Sequence, residues 1–263
     1  MSCILHIETS TKVCSVALSE NGSLIFHKED LEGPNHAVVC GVFVDEALSF
    51  ANSHAIPVDA VAVSEGPGSY TGLRIGVSLA KGVCYGRDLP LLAVPTLKLL
   101  CVPVLLNASP DPSKGGENGP SSSPSRFSPP LEGSGEADPE SLLVPMIDAR
   151  RMEVYSAVYD RALREVRPVG ADIVGPDTYL PYLEEHPVWF FGNGAAKCRD
   201  VIRHPNAHFI DGIQPLAKWM FPLAERALHL GEKQDVAYFE PFYLKEYVAG
   251  TPHSPLSKVE NLP

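Results

Sequence analysis

The sequence lacks the features that mark several protein classes. Its six cysteines form no C-x-x-C pair, and no Cys/His group has the spacing of a zinc site, which favours reduced, buried thiols. We expect neither a signal peptide nor a membrane span, because no basic amino-terminal region and no sufficiently long apolar run is present. The net charge is -11, and Lys and Arg form no cluster. This composition disfavours secreted disulfide-rich proteins, membrane proteins and proteins that bind RNA strongly by themselves.

What remains is an ordinary globular composition with one interruption. The chain has 263 residues, 44% of them hydrophobic, enough for one large domain or two of ordinary size, each with a real core. Of the 34 residues 108–141, 21 are Pro, Gly or Ser. Such a segment cannot bury enough apolar surface to offset its ordering entropy. We therefore predict an amino-terminal half over residues 1–107, a disordered insertion over 108–141 and a carboxy-terminal half over 142–263.

The first half begins with the pattern of a three-stranded meander. Residues 4–8, 13–18 and 23–28 are predicted strands, and Asn21-Gly22 is a strong hairpin signal between the last two. Apolar residues at helical spacing then predict one helix over 36–51 and another over 73–85. The second helix follows a strand over 58–64 and a loop rich in glycine.

A short repeat relates the two halves. Residues 7–13 and 147–153 each read as a strand that ends in an acid, a tight turn and a returning strand. The two acids are Glu8 and Asp148. Because ligands of α/β proteins bind beyond the carboxyl ends of strands, both acids would lie at a cleft between two related α/β halves.

The glycine loop is the most specific motif. Residues 66–76 read GPGSYTGLRIG, and a glycine-rich loop that opens a helix can offer backbone N–H groups to an anion. The spacing and the lysine of a P-loop are absent, as is the dinucleotide fingerprint. From the residues alone, a tight strand-to-helix turn without a ligand is slightly favoured.

The motifs together resemble one family. The string GPGSYTGLRIG, the string VPMIDARRMEVY at 144–155 and the string EPFYL at 240–244 are similar to signatures of the TsaB (YeaZ) and TsaD proteins. The resemblance covers nearly the whole chain except the insertion. It implies the α/β fold of the actin-like ATPases (the ASKHA fold), with two duplicated halves whose mixed sheets are flanked by helices.

Two positions decide which branch of the family the chain resembles. TsaD carries a metal-binding H-x-x-x-H pair, and here the corresponding positions hold Thr96 and Leu100. Neither a hydroxyl nor an alkyl group replaces imidazole as a transition-metal ligand. The resemblance therefore points to TsaB, which has no metal site and no catalytic residues of its own. A further departure is Glu8, where many members have Asp, and it weakens the case for a nucleotide–metal site.

The resemblance also implies partners. TsaD transfers threonylcarbamoyl to the adenosine beside the anticodon of tRNA, giving t6A. This chain would form a heterodimer with TsaD in the cytoplasm, help to recruit the ATPase TsaE, and meet tRNA only through the complex. It would require no cofactor itself, although a nucleotide could bind at the complex interface. Alone, it could homodimerise through the same surface.

Two sets of candidate residues follow. The set expected to face a nucleotide or anion is Glu8, Thr9, Gly66, Gly68, Ser69, Thr71, Gly72 and Asp148. The set expected to contact the partner lies on the two helices and is His36, Val39, Phe43, Glu46, Leu73, Gly76, Ala80 and Val83.

Three alternatives remain open at this point. The apolar helix faces could simply cover the chain's own sheet. The chain could be an enzyme of the same fold, either a nucleotide-binding kinase or ATPase or a peptidase acting on a partner. It could also be an actin-like structural module that does not associate with TsaD.

The neighbouring Arg150 and Arg151 could bind phosphate or could form an ordinary charged turn.

Overall fold

We describe a computed structural model of the chain, which covers residues 2–33, 35–106 and 139–245. Within these residues the strands are β1 (Cys3–Glu8), β2 (Cys14–Glu20), β3 (Ser23–Asp30), β4 (Ala60–Gly66), β5 (Leu91–Pro95), β6 (Leu142–Asp148), β7 (Glu153–Tyr159), β8 (Glu165–Ile173), β9 (Val188–Phe191) and β10 (Ala207–Ile210). The α-helices are α1 (His36–Ser53), α2 (Tyr70–Arg87), α3 (Thr96–Leu105), α4 (Leu180–Leu183) and α5 (Phe221–Leu230). Two 3-10 turns lie at Ala196–Cys198 and Ala217–Trp219.

The two halves have the same sheet topology. The first sheet has the order β3-β2-β1-β4-β5, and the second, read from its opposite edge, has the order β8-β7-β6-β9-β10. In each sheet the first three strands form an antiparallel meander, and the last two run parallel to the central strand. The duplicated, actin-like α/β fold expected from the repeat is therefore confirmed.

Helices α1 and α2 cover one face of the first sheet. Each buries one residue every three or four positions, as an amphipathic helix must. The buried apolar positions on these helices are Cys40, Val44, Ala47, Ala51, Leu73, Val77, Ala80 and Cys84. Both helices are longer than predicted, and α2 begins three residues early because Ser69 caps it by accepting the Gly72 N–H.

Helix α3 holds the halves together. Its residues Leu97, Leu100 and Cys101 are fully buried in a cluster with Leu143 and Phe191 of the second sheet. On the outer face of the first sheet, α5 packs beside α3 in a separate cluster. Pro103 lies two residues before the end of α3, so the helix stops close to the proline.

The second half differs most from the prediction. Strand β8 is absent from the predicted elements, because its sequence contains Pro168 and Gly170, which weaken a strand pattern. The structure places β8 at the edge of the sheet, where a proline is tolerated. The sequence pattern predicts helices near 178–185 and 195–204, but the structure has only the four residues of α4 and a 3-10 turn there.

The sequence pattern also predicts one helix over 216–230, which the structure divides into a 3-10 turn and α5, a helix with a proline in its first turn. Of the predicted insertion, residues 108–138 lie outside the described residues. Residues 139–141 are described, and Ser141 is already buried beside the start of β6.

Candidate functional site

A cleft of about 930 Å³ lies between the two halves. Its walls are the β1–β2 turn (residues 9–13), the start of α2, the β6–β7 turn (residues 149–152) and a carboxy-terminal segment (residues 241–245). These are the carboxyl ends of the central strands, where α/β proteins bind ligands. Of the predicted anion-facing residues, Gly68, Ser69, Thr71, Gly72 and Asp148 line this cleft.

The glycines of the loop allow α2 to approach the β1–β2 turn. A Cβ atom on Gly68 would lie 2.3 Å from the Ser10 carbonyl oxygen, and one on Gly72 would lie 2.1 Å from that of Thr9. Real Cβ atoms do not come so close, so only glycine fits. A Cβ on Gly66 would lie 2.6 Å from the Phe242 carbonyl oxygen. Packing within the chain therefore accounts for this motif, and Gly66 faces the carboxy-terminal segment rather than the cleft.

Hydrogen bonds fix the same contact. The Thr9 hydroxyl donates to the Gly72 carbonyl (2.8 Å), and the Ser69 N–H donates to the Ser10 carbonyl (2.6 Å). Thr9 is fully buried. The prediction that Thr9 faces a ligand is therefore wrong, because its hydroxyl is directed into α2.

Glu8 is also placed differently from the prediction. It is fully buried, and its Oε1 accepts the Ser10 N–H at 2.6 Å. Burial raises the pKa of Glu8 to about 7, although hydrogen bonds from Ser10 favour the charged form. The carboxyl group hydrogen-bonds to the β1–β2 turn from inside the fold and does not reach the cleft surface. The assignment of Glu8 as a ligand-facing acid is therefore corrected.

Asp148 does lie at the cleft, as the repeat predicted. Its side chain is about half exposed, forms an ion pair with Lys197 and accepts the Arg150 N–H at 3.0 Å. The Asn193 side chain accepts the Asp148 N–H at 2.9 Å. The carboxylate is thus already held by an ammonium group of the chain itself.

A second glycine pair was missed from the sequence. Gly192 has φ +99°, and a Cβ there would lie 2.4 Å from the Met146 carbonyl oxygen. A Cβ on Gly194 would lie 2.9 Å from the carbonyl carbon of Ile147. The string Gly192-Asn193-Gly194 after β9 is the signal that could have shown it, because it occupies the place of the glycine loop after β4.

The carboxy-terminal segment crosses from one half to the other. The Phe242 N–H donates to the Glu65 carbonyl (2.7 Å), and Tyr243 packs against Tyr70 with ring centroids 4.8 Å apart. Lys245 then pairs with Glu153 of the second half. The EPFYL signature therefore spans the edge of the cleft.

Part of the predicted partner interface is buried inside the chain. Leu73 and Ala80 are at most 1% exposed, and Gly76 is also buried. A Cβ on Gly76 would lie 2.2 Å from the Thr9 Oγ1. His36 is nearly buried too, and its Nε2 bonds to the Thr11 carbonyl at 2.8 Å. These residues face this chain's own sheet and turn, so their assignment to a docking surface is corrected.

The remaining predicted interface residues are half-buried. Phe43 and Val83 pack against the core beneath the helices, Val39 is partly covered, and Glu46 pairs with Lys28 at 3.1 Å. They border a surface that the sequence prediction did not single out.

The most exposed apolar side chains on α1 are Val38, at 70%, and Val42, at 51%. Three glycines on the two helices, Gly41, Gly82 and Gly86, have open space where a side chain would stand. We call Val38, Gly41, Val42, Gly82 and Gly86 the outer helix face. The glycines leave the backbone of both helices accessible to another helix, and Tyr85, 88% exposed, stands beside the two glycines of α2.

Thr96 and Leu100 are both fully buried in α3. Among the described residues, no cluster of three or more His, Cys, Asp and Glu side chains could hold a metal ion. None of the helices in the described ranges is long and apolar enough to cross a membrane.

Comparison with known sequences agrees with the motifs. The family model of TsaD, described as tRNA N6-adenosine threonylcarbamoyltransferase, matches residues 31–114. The protein named tRNA threonylcarbamoyladenosine biosynthesis protein TsaB from Escherichia coli K12 is 27% identical over 94% of this chain and 96% of its own length. The protein of the same name from Bacillus subtilis 168 is 28% identical over 76% of this chain and 74% of its own length.

The fold also matches a solved structure. YeaZ from Pseudomonas aeruginosa superposes with a TM-score of 0.68 at 24% identity, covering 93% of this chain and all of that chain. The agreement extends over both halves and therefore shows that the two chains share the whole fold.

Proposed function

Because the chain belongs to the TsaB (YeaZ) family, we propose that it acts in the biosynthesis of threonylcarbamoyladenosine in tRNA as a subunit that docks on TsaD. In this role it supports the transferase and is not the transferase itself. Thr96 and Leu100 support this division of labour, since neither side chain can act as the imidazole ligand that the catalytic paralogue uses.

One observation carries the docking proposal. Val38 and Val42 expose 70% and 51% of their surface on α1, where the described residues leave them uncovered. Exposed apolar side chains grouped on one face are typical of protein interfaces. Gly41, Gly82 and Gly86 leave room for a partner helix to reach the backbone. We expect this face to bind a helix pair from a paralogue with the same fold.

Three further interactions belong to this proposed role: self-association, the approach of TsaE and contact with tRNA. Without TsaD, two copies of the chain could associate through the outer helix face, since a patch can be self-complementary about a twofold axis. TsaE would join the assembled heterodimer, and tRNA would be bound by the complex, because this chain has a net charge of -11. In this role the chain would act in the cytoplasm, where tRNA is modified.

The test is binding to TsaD of the same organism. Val38→Glu and Val42→Glu would bury an unpaired carboxylate at the interface, which should weaken binding by roughly tenfold or more. Ile173→Glu and Val166→Glu are matched controls, because these β-branched residues are 78% and 49% exposed on β8 of the other half. Isothermal titration calorimetry would measure the affinities, and circular dichroism would confirm the folds.

Two results would reject the proposal. The first is unchanged affinity for TsaD in both α1 variants. The second is formation of t6A at the full rate when TsaD and TsaE are reconstituted without this chain. Modification of tRNA by this chain alone would instead identify it as an enzyme.

A further inference from the structure

We propose that the β1–β2 turn sets the position of α1 relative to α2, and that Thr9 and His36 are therefore positioning residues for docking although neither faces the partner. The inference rests on the proposed function, because it concerns the shape of the outer helix face. It replaces the sequence-based assignments of Thr9 to a ligand and of His36 to the interface.

Each residue of the turn holds a different neighbour. Thr9 donates to the Gly72 carbonyl in the first turn of α2 (2.8 Å). The Ser10 carbonyl accepts the N–H of Ser69, the residue that caps α2 (2.6 Å). One residue further, the Thr11 carbonyl bonds to Nε2 of His36, the first residue of α1 (2.8 Å). Three consecutive residues thus reach the starts of both helices.

The contact between Thr11 and His36 anchors the start of α1. Asn35 occupies the N-cap position but makes no side-chain hydrogen bond to the helix. A helix start without a cap leaves backbone N–H groups unpaired and frays readily. The bond between His36 and Thr11 therefore fixes the end of α1 that carries Val38, two residues further along.

Burial and hydrogen bonding hold the β1–β2 turn in place. Thr9 and Ser10 are fully buried, and the Glu8 carboxyl accepts the Ser10 N–H from below. The close approach of Gly72 and Gly76 leaves no space for α2 to slide toward the turn. A change in the turn is consequently passed to the helices, because close-packed elements move together.

Docking depends on the relation between the two helices. The outer helix face takes Val38, Gly41 and Val42 from α1 and Gly82 and Gly86 from α2. A partner helix that contacts both must match their spacing and angle. Loss of either anchor would leave each helix folded on the sheet while reducing the fraction of molecules with the matching arrangement, which lowers the apparent affinity.

The experiment compares affinity for TsaD with stability. Thr9→Val keeps the shape and removes the donor, and His36→Leu removes the bond to Thr11. We expect each to weaken binding roughly fivefold or more. Thr9→Ser and His36→Gln keep a donor and should restore the affinity to near the wild-type value. Hydrogen exchange of the first turn of α1 should accelerate in His36→Leu and not in His36→Gln.

Ser156→Ala is the control for stability alone. Ser156 is fully buried in the second half and bonds to Asp172 (2.5 Å), so its loss destabilises the chain without touching the turn. We expect its affinity for TsaD to be unchanged. If Thr9→Val and His36→Leu bind as well as the wild type, or if Ser156→Ala weakens binding equally, the positioning role is wrong. Failure of the wild type itself to bind TsaD would instead reject the proposed function.

Discussion

A side chain on Gly76 would collide with Thr9, since its Cβ would lie 2.2 Å from the Thr9 Oγ1. Gly76→Ala should therefore push α2 away from the β1–β2 turn and lower the free energy of unfolding by about 1–3 kcal/mol. Gly82→Ala, in the same helix, has open space at this point and should raise it by about 0.5–1 kcal/mol. Urea unfolding of both variants measures the contrast. Equal effects of the two substitutions would contradict the close contact.

Helix α3 should carry much of the stability of the junction between the halves. Leu97 is fully buried between the two sheets, so Leu97→Ala should cost about 2–5 kcal/mol of unfolding free energy. Leu106, just beyond the helix, is 44% exposed, and Leu106→Ala should cost well under half as much. Calorimetric unfolding would show whether the halves also lose cooperativity. A small effect at Leu97 would mean that the junction is held elsewhere.

The buried carboxyl group of Glu8 predicts a specific pH dependence. Its pKa in the folded chain is about 7, above the ordinary value of 4.5, so the folded state binds its proton more tightly than the unfolded state does. Its contribution to stability is therefore largest below the ordinary value and declines as the pH rises toward 7. Glu8→Gln keeps an acceptor for the Ser10 N–H and cannot ionise.

Relative to the Glu8→Gln variant, the wild type should lose unfolding free energy between pH 5 and pH 7 and change little above that. The comparison removes the contribution of His6, whose pKa burial lowers to about 3, because it is common to both proteins. Urea unfolding at several pH values gives the difference directly. A difference that does not vary with pH would contradict the assignment.

Two arginine–aspartate pairs in the second half should differ in how much they contribute to the free energy of unfolding. Arg167 binds Asp172 (2.6 Å) in a partly buried network that also contains Tyr179, whereas Arg199 binds Asp211 (2.7 Å) at the surface. Arg167→Met leaves a half-buried carboxylate without its cation and should cost about 1.5–3 kcal/mol. Arg199→Met should cost less than about 1 kcal/mol. Thermal unfolding would rank the two, and equal costs would show that burial does not decide the value of these pairs.

Local chemistry determined much of what the sequence predicted. The meander, the two long helices and the acids at the ends of β1 and β6 follow from apolar spacing and turn residues, which act over a few positions. The duplicated fold followed from the repeat and from the family motifs, and the sheet topology confirms it. Strand β8 was not predicted, because an edge strand tolerates Pro168 and the position of a strand in the sheet is not a local property of the sequence.

The sequence by itself determined that this chain has two related α/β halves and a glycine-rich turn between β4 and α2. It also determined that Thr96 and Leu100 stand where a metal-binding pair would need two histidines. Only the tertiary structure decided what these residues contact: that Gly76 and Thr9 face each other, that Glu8 is buried beneath the turn, and that Val38 and Val42 remain outside. The physical reason is that burial and close contact arise between segments far apart in the chain. A pattern of residue types fixes which face of a helix is apolar, but not which part of that face the rest of the molecule covers.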